Sequence, residues 1–149
     1  MIVGINPAPT SVAAGHYYQG RMGRWAMSRL VDVGVLPAPT SGQHVDDAAF
    51  AAGIGFTDLV RRPTTSSESV SAQELSDGAK RLRQEIRARR PGMIIAVFGP
   101  PVKALLGDGY GGLGLQSARF ESVRVVKLPT RTPHWDSPRL VDILDSWAW

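Results

Sequence analysis

The sequence predicts an α/β protein, a three-layer α/β/α sandwich around a mostly parallel central sheet of four or five strands. The continuous apolar run at residues 93–98 is typical of a strand that is buried on both faces of a parallel sheet. Helical patterns alternate with this strand and with residues 123–128, which is the order that produces parallel β-α-β units. The length of 149 residues fits one domain, residues 1–149, with a sizeable core.

The first part of the chain predicts one short strand and one helix. Residues 1–5 form a buried strand, and the Gly/Ala/Pro-rich residues 7–21 form a loop. A helix follows over roughly residues 23–35 and stops before the prolines at 37 and 39. Its inward face holds Met27, Leu30 and Val31.

The middle of the chain is less periodic. Residues 46–52 predict a helical turn, and residues 54–60 are compatible with either a short strand or a loop. Residues 61–67 are polar and rich in turn formers, so they form either a solvated loop or a loop that faces phosphate.

The clearest predicted helix spans residues 72–90. Ser71 lies three residues before Glu74, the spacing of a capping box that satisfies free N–H groups of the first turn. Pro91 and the following glycine end the helix. Its apolar stripe consists of Leu75, Ala79, Leu82 and Ile86.

The last part of the chain adds short helices and one strand. A short helix runs through Leu106, and residues 107–114, with five glycines in eight positions, predict a flexible connection. Residues 123–128 form the last strand. Ser137 begins a closing helix as its N-cap, with proline at the first helical position.

The amino-acid composition excludes several kinds of site and favours one class of partner. The absence of cysteine excludes disulfides, cysteine-ligated zinc and iron–sulfur clusters. The separations of His16, His44 and His134 match no metal-ligand pattern, so we expect neither a metal nor a cofactor. No targeting or membrane-spanning run appears, and we expect a cytoplasmic monomer without a membrane partner. A net charge of +4 and a pI near 10 suit a partner made of phosphates.

Two loops leave the carboxyl ends of predicted strands. Asn6 and Pro7 follow the first strand, and residues 129–135 follow the last one. Ligands of open α/β sheets bind in the crevice at this end, so we expect both loops to face one site.

The first loop carries a family resemblance. Gly4-Ile5-Asn6-Pro7 is followed nine residues after Asn6 by Gly15-His16-Tyr17-Tyr18, and then by a helix with Trp25. This pattern resembles the mismatch-specific uracil/thymine DNA glycosylases of the uracil-DNA glycosylase superfamily. The resemblance implies an enzyme that flips a damaged or mismatched base out of DNA and hydrolyses its N-glycosidic bond.

The resemblance also implies roles for single residues. Asn6 would hold the attacking water, Tyr18 would stack on the flipped base, and Ser11 would lie near the base pocket. Backbone N–H groups around Ile5 and Thr130 would stabilise the departing base anion, as an oxyanion hole does.

Asp58 departs from the family pattern. Its segment, residues 54–60, resembles a family segment in which this position is usually Asn or Lys. A carboxylate here acts either as an additional general base, if it lies within about 3 Å of the water, or as a helix cap or solvated turn residue.

The second loop matches the family less well. Aligned on Pro129, it places Thr130 at the position of a small polar residue and His134 at the position of the wedge that enters the duplex, with Trp135 beside it. Thr130 replaces the catalytic histidine of many other uracil glycosylases. Phosphate contacts are assigned to Arg61, Arg62 and Arg131, with double-stranded and also single-stranded DNA as partners.

Two other function classes remain open. A catalytically weak relative would bind a damaged base without cleaving, although such a reader does not need the amide of Asn6. A small-molecule hydrolase or nucleotide-binding domain would need a phosphate loop or a nucleophile–histidine–acid set, and the sequence offers neither.

Overall fold

The computed structural model describes residues 1–128, and residues 129–149 lie outside the described part. Its sheet has five strands in the order β2-β1-β3-β5-β4. All neighbouring strands are parallel except β4 and β5. The strands are β1 (Ile2–Gly4), β2 (Phe56–Asp58), β3 (Met93–Ala96), β4 (Gly114–Phe120) and β5 (Val123–Lys127).

Helices cover both faces of the sheet. They are α1 (Pro9–Ala14), α2 (Arg21–Asp32), α3 (Val45–Ala51), α4 (Ala72–Arg89) and α5 (Gly99–Leu106). Short 3-10 turns occupy Ser67–Ser69 and Gly107–Gly109. No helix within residues 1–128 is long and apolar enough to cross a membrane.

Adjacent strand residues divide between two cores because successive side chains of a strand point to opposite faces. Ile2 packs with α2 and α3, whereas Val3 packs with α4 and α5. Ile95 and Ile94 of β3 divide in the same way. The predicted three-layer α/β/α fold with a mostly parallel sheet is therefore confirmed.

The predicted helix at residues 72–90 forms as α4, and its capping box is present. The Ser71 hydroxyl accepts a hydrogen bond from the N–H of Glu74, and the Glu74 carboxylate accepts one from the N–H of Ser71. The open choice for residues 54–60 is decided in favour of a strand, β2.

The prediction of a loop throughout residues 7–21 was wrong, because α1 forms inside it. Pro9 occupies the first turn, where its missing N–H costs nothing. Gly15 ends the helix in the left-handed conformation (φ 71°) and donates its N–H to the carbonyls of Ser11 and Val12. Six residues are too few for helical periodicity to show in the sequence.

Strand β4 was missed, and the glycine-rich residues 107–114 contain a 3-10 turn and the start of this strand instead of a uniformly flexible connection. β4 and β5 form a hairpin whose two turn residues, Glu121 and Ser122, both have positive φ (50° and 67°). Such turns are usually signalled by Asn-Gly or Asp-Gly, which is absent here. The predicted closing helix from Ser137 lies outside the described residues.

Candidate active site

The carboxyl ends of β1 and β2 bring two distant loops together. Gly4 pairs with Asp58, and the parallel ladder continues where Val60 donates its N–H to the carbonyl of Ile5 (2.8 Å). The loop after Asn6 and the loop at residues 61–66 therefore leave the sheet side by side.

The Asn6 amide is held in one orientation. Its Nδ2 donates to the hydroxyl of Thr64 (2.7 Å) and approaches the carbonyls of Pro7 and Arg62 (3.3 Å each). Two of these three partners are carbonyls and can only accept, so the atom that faces them must be the amide nitrogen. Within residues 1–128 the opposite atom, Oδ1, has no hydrogen-bond partner and remains free to accept one from water.

Thr64 links the Asn6 amide to the loop at residues 61–66 by hydrogen bonds. Its hydroxyl accepts from Asn6 and donates to the carbonyl of Ser66 (2.6 Å), while its N–H donates to the carbonyl of Pro7 (3.2 Å). Because the hydroxyl proton is directed at Ser66, the oxygen presents its lone pairs to the Asn6 amide.

The carboxyl group of Asp58 lies in a largely buried setting. Burial raises its pKa to about 6, since desolvation disfavours the charged form, while the positive charge of Arg81 acts in the opposite direction. The Arg81 guanidinium donates to the main-chain carbonyls of Asp58 and Leu59. Asp58 therefore changes its charge close to neutral pH.

Tyr18 adopts a backbone conformation that is unusual for a residue with a side chain (φ 58°). Its backbone lies against α2 at Gly23, where a Cβ atom would come within 2.7 Å of the Tyr18 carbonyl oxygen. Tyr18 is one of the residues that line the cleft, but its hydroxyl is buried and has no hydrogen-bond partner among the described residues. An unpaired buried polar group costs about 1–3 kcal/mol.

Two further predicted base-pocket residues lie beside Asn6. Ile5 is buried, and so is Ser11 in α1, whose hydroxyl accepts the N–H of Gln19 (2.9 Å). This bond ties α1 to the segment that carries Tyr18. Asn6, Asp58, Ile5, Ser11 and Tyr18 all line one open cleft of about 1200 Å³.

The two arginines predicted to contact phosphate differ in their surroundings. Arg61 lines the cleft with its side chain 77% exposed and pairs with Glu85 at 3.3 Å. Arg62 is bound to both carboxylate oxygens of Glu74 (2.8 and 3.1 Å) and to the carbonyl of Ser69. The guanidinium of Arg62 thus ties its loop to Ser69 and to Glu74 in the first turn of α4, and Arg61 is the better placed of the two for a phosphate.

Sequence spacing did not predict that His16, His44 and Asp46 meet. Their potential ligand atoms all lie within 4.8 Å of one another. The two imidazole rings are stacked, with centroids 3.6 Å apart and planes 13° apart, so their nitrogen lone pairs lie in two nearly parallel, separate planes, which disfavours convergence on one ion. Asp46 accepts the N–H of Tyr17 (2.8 Å) and contacts His16 Nδ1 (3.1 Å), which braces the segment before Tyr18.

Part of the predicted site lies outside residues 1–128. Thr130, Arg131, His134 and Trp135 belong to this part, and their assigned roles stay predictions. Among the described residues, sequence reasoning missed Thr64 and the spatial role of Gly4. Thr64 is 58 residues from Asn6, and no local pattern signals a hydrogen bond over that separation.

Comparisons with known proteins show the family to which the chain is similar. A sequence profile of the uracil DNA glycosylase superfamily matches residues 1–137. The chain is 31% identical over 101 residues to the G/U mismatch-specific uracil DNA glycosylase of Schizosaccharomyces pombe (strain 972). That alignment covers 66% of this chain and 30% of the relative, so the chain matches less than a third of this relative's length.

Proposed function

Since the chain belongs to the uracil DNA glycosylase superfamily, as its first motif predicted, we propose that it is a DNA glycosylase that excises uracil or a related mismatched base. The observation that carries the proposal is the orientation of the Asn6 amide at the carboxyl edge of the sheet. With its nitrogen bound to three oxygens, Asn6 offers a carbonyl oxygen to a water molecule.

The attacking water is held by Asn6 Oδ1, which accepts one of its protons in a hydrogen bond. An amide orients a water but does not take up its proton as a carboxylate does. The reaction therefore depends on stabilising the negative charge that the departing base acquires. Backbone N–H groups near Ile5 and Thr130 serve this purpose in the proposed mechanism.

Asp58 supplies a second function at the same edge. Its pKa of about 6 leaves it mostly ionised at pH 7 and above, where it accepts the proton that Asn6 cannot. Below about pH 6 it is mostly neutral, so the rate is expected to fall on the acidic side.

The substrate is a base rotated out of DNA, because the N-glycosidic bond is inaccessible within the stacked duplex. The flipped base stacks on the ring of Tyr18, beside Ser11. Arg61 contacts the phosphate backbone, which positions the protein without reading sequence. The name of the S. pombe relative places uracil opposite guanine first among the substrates to test.

The proposal is tested by base release from labelled oligonucleotides that contain U:G, U:A, T:G or single-stranded U. Wild type is compared with Asn6→Ala, and Gln84→Ala, which removes an exposed amide of α4 outside the cleft, serves as the matched control. Abasic sites formed by wild type and by the control, but far more slowly by Asn6→Ala, would support the proposal. The order of the four substrates would then define the specificity.

Other outcomes separate the alternatives. Binding of damaged DNA without cleavage by any variant would favour a damage-sensing protein. Absence of binding at low salt would contradict a DNA partner and leave the small-molecule class. Activity that stays at the wild-type rate in Asn6→Ala would keep the glycosylase but remove Asn6 from its mechanism.

A further inference from the structure

Gly4 leaves a small space between two polar groups of the cleft. A Cβ atom built on Gly4 would lie 2.1 Å from Asp58 Oδ1 and 2.7 Å from the hydroxyl oxygen of Tyr18. Both oxygens therefore lie on the same side of β1, in the volume that any other residue at position 4 would fill. Gly4 is thus the residue that allows Asp58 and Tyr18 to approach each other.

The two groups are chemically complementary. The Tyr18 hydroxyl is a buried donor without a partner among the described residues. The Asp58 carboxylate is an acceptor, and its negative charge contributes to raising the pKa of Tyr18, after desolvation. A phenol with a raised pKa keeps its proton and remains a donor at neutral pH.

Resting on the glycosylase function proposed above, we propose that the Tyr18 hydroxyl donates a hydrogen bond to one water molecule that bridges it to the Asp58 carboxylate, and thereby positions this carboxylate in the cleft. Tyr18 then has two separate tasks. Its ring faces the base, and its hydroxyl acts through Asp58 as a positioning group.

Of the charged and polar groups around Asp58 in the described part of the chain, Tyr18 is the one with a free donor to position its carboxylate. Arg81 of α4 favours the ionised form of Asp58 by its charge, but its guanidinium is bonded to main-chain carbonyls and to Glu85. Tyr17 lies near Asp58 and Arg61, with Glu85 and Asp46 contributing to its electrostatic surroundings. Among these groups only the Tyr18 hydroxyl is both buried and without a partner within residues 1–128.

The direct test is a pH titration of the Asp58 carboxyl carbon by NMR in wild type and in Tyr18→Phe. Phenylalanine keeps the ring and removes only the hydroxyl. Because a donor to the carboxylate favours its charged form, losing the hydroxyl should move the Asp58 midpoint to higher pH by about one unit. Tyr110→Phe, outside the cleft, is the matched control and should leave the midpoint unchanged.

Base release provides the second readout. The acidic limb of the pH–rate profile should move in the same direction in Tyr18→Phe, so that a one-unit shift lowers the rate at about pH 6 roughly fivefold and leaves it nearly unchanged at high pH. Asp58→Asn should abolish the acidic limb of the pH–rate profile. The double variant Asp58→Asn/Tyr18→Phe should show the same pH dependence of the rate as Asp58→Asn alone.

The NMR titration does not need enzymatic activity, so the two proposals fail separately. A midpoint that stays the same in Tyr18→Phe would overturn the positioning role even in an active glycosylase. A shifted midpoint in a protein that releases no base would retain the Tyr18–Asp58 contact and reject the glycosylase function.

Discussion

At the scale of single residues, the proposed chemistry depends on the direction of one amide. Asn6 presents its nitrogen to Thr64, Pro7 and Arg62, and this leaves Oδ1 for the water of the proposed mechanism. A rotated amide would turn its oxygen towards two carbonyls, which is electrostatically unfavourable. The hydroxyl of Thr64 is the shortest of the three contacts, at 2.7 Å.

Thr64→Val keeps the shape of the side chain and removes the hydroxyl. We expect the single-turnover rate to fall by about 5- to 150-fold, the equivalent of about 1–3 kcal/mol for a lost partner of a polar group. Thr64→Ser retains the hydroxyl and should stay close to wild type. In the Asn6→Ala background, adding Thr64→Val should not lower the single-turnover rate any further. An equal fold-reduction of the rate in both backgrounds would show that Thr64 acts independently of Asn6.

Asp58 should make stability depend on pH in the direction opposite to most carboxylates. Its native pKa of about 6 exceeds the reference value of 3.8, so between these values the native state binds more protons than the unfolded state. Stability therefore falls as pH rises through this window. Asp58→Asn should raise the free energy of unfolding by up to about 3 kcal/mol near pH 8 and by much less near pH 4. Urea unfolding at both pH values measures this, and a gain that does not vary with pH would contradict it.

At the scale of elements, α4 positions the end of β2. Gly78 lies where a Cβ atom would come within 2.1 Å of the main-chain oxygen of Leu59, the residue after Asp58. One turn later on the helix, Arg81 donates to the carbonyls of Asp58 and Leu59. The close approach of α4 therefore sets where Asp58 stands in the cleft.

Gly78→Ala tests this packing because helix propensity predicts an increase in the free energy of unfolding, whereas the tight packing predicts a decrease. Propensity alone favours alanine by about 1 kcal/mol. The contact with a main-chain atom has no flexible side chain to yield, so we expect a net destabilisation of about 1–3 kcal/mol, together with reduced base release. Ser76→Ala, on the exposed side of α4, should change stability by less than about 0.5 kcal/mol. Urea unfolding that finds Gly78→Ala more stable than wild type would refute the packing argument.

At the scale of the whole molecule, net charge is a poor guide to the side that would face DNA in the proposed function. The charge of +4 is spread over many arginines, and several of them are engaged in ion pairs with Glu74, Glu85 and Glu121. Arg61 lines the cleft and is mostly exposed, whereas Arg62 is held by Glu74.

DNA affinity should weaken steeply with salt, because phosphate contacts release counterions. Replacing Arg61 by alanine should reduce the slope of log K against log salt concentration by about 0.9, the value for one lost phosphate contact. Arg62→Ala should leave that slope unchanged. Fluorescence anisotropy over a salt series measures both, and equal slopes for wild type and Arg61→Ala would remove Arg61 from the interface.

Local sequence signals were sufficient to predict the fold class, the first motif and the strongest elements. The apolar run of β3 and the capping box of α4 are each produced by residues that are neighbours in the chain. The position of Asn6 at the carboxyl edge of the sheet was also predictable, because the turn that follows β1 is formed by neighbouring residues. The family resemblance added roles to these positions, and the family itself is confirmed over residues 1–137.

Which side chains meet in the cleft follows instead from tertiary packing. The contact of Thr64 with Asn6 and the approach of Tyr18 to Asp58 over Gly4 depend on the register of β1 against β2. Register is a relation between segments far apart in sequence, and a shift by one residue would send Asp58 to the opposite face of the sheet. Local patterns therefore predict the strands, whereas the packing between them sets the geometry of the site.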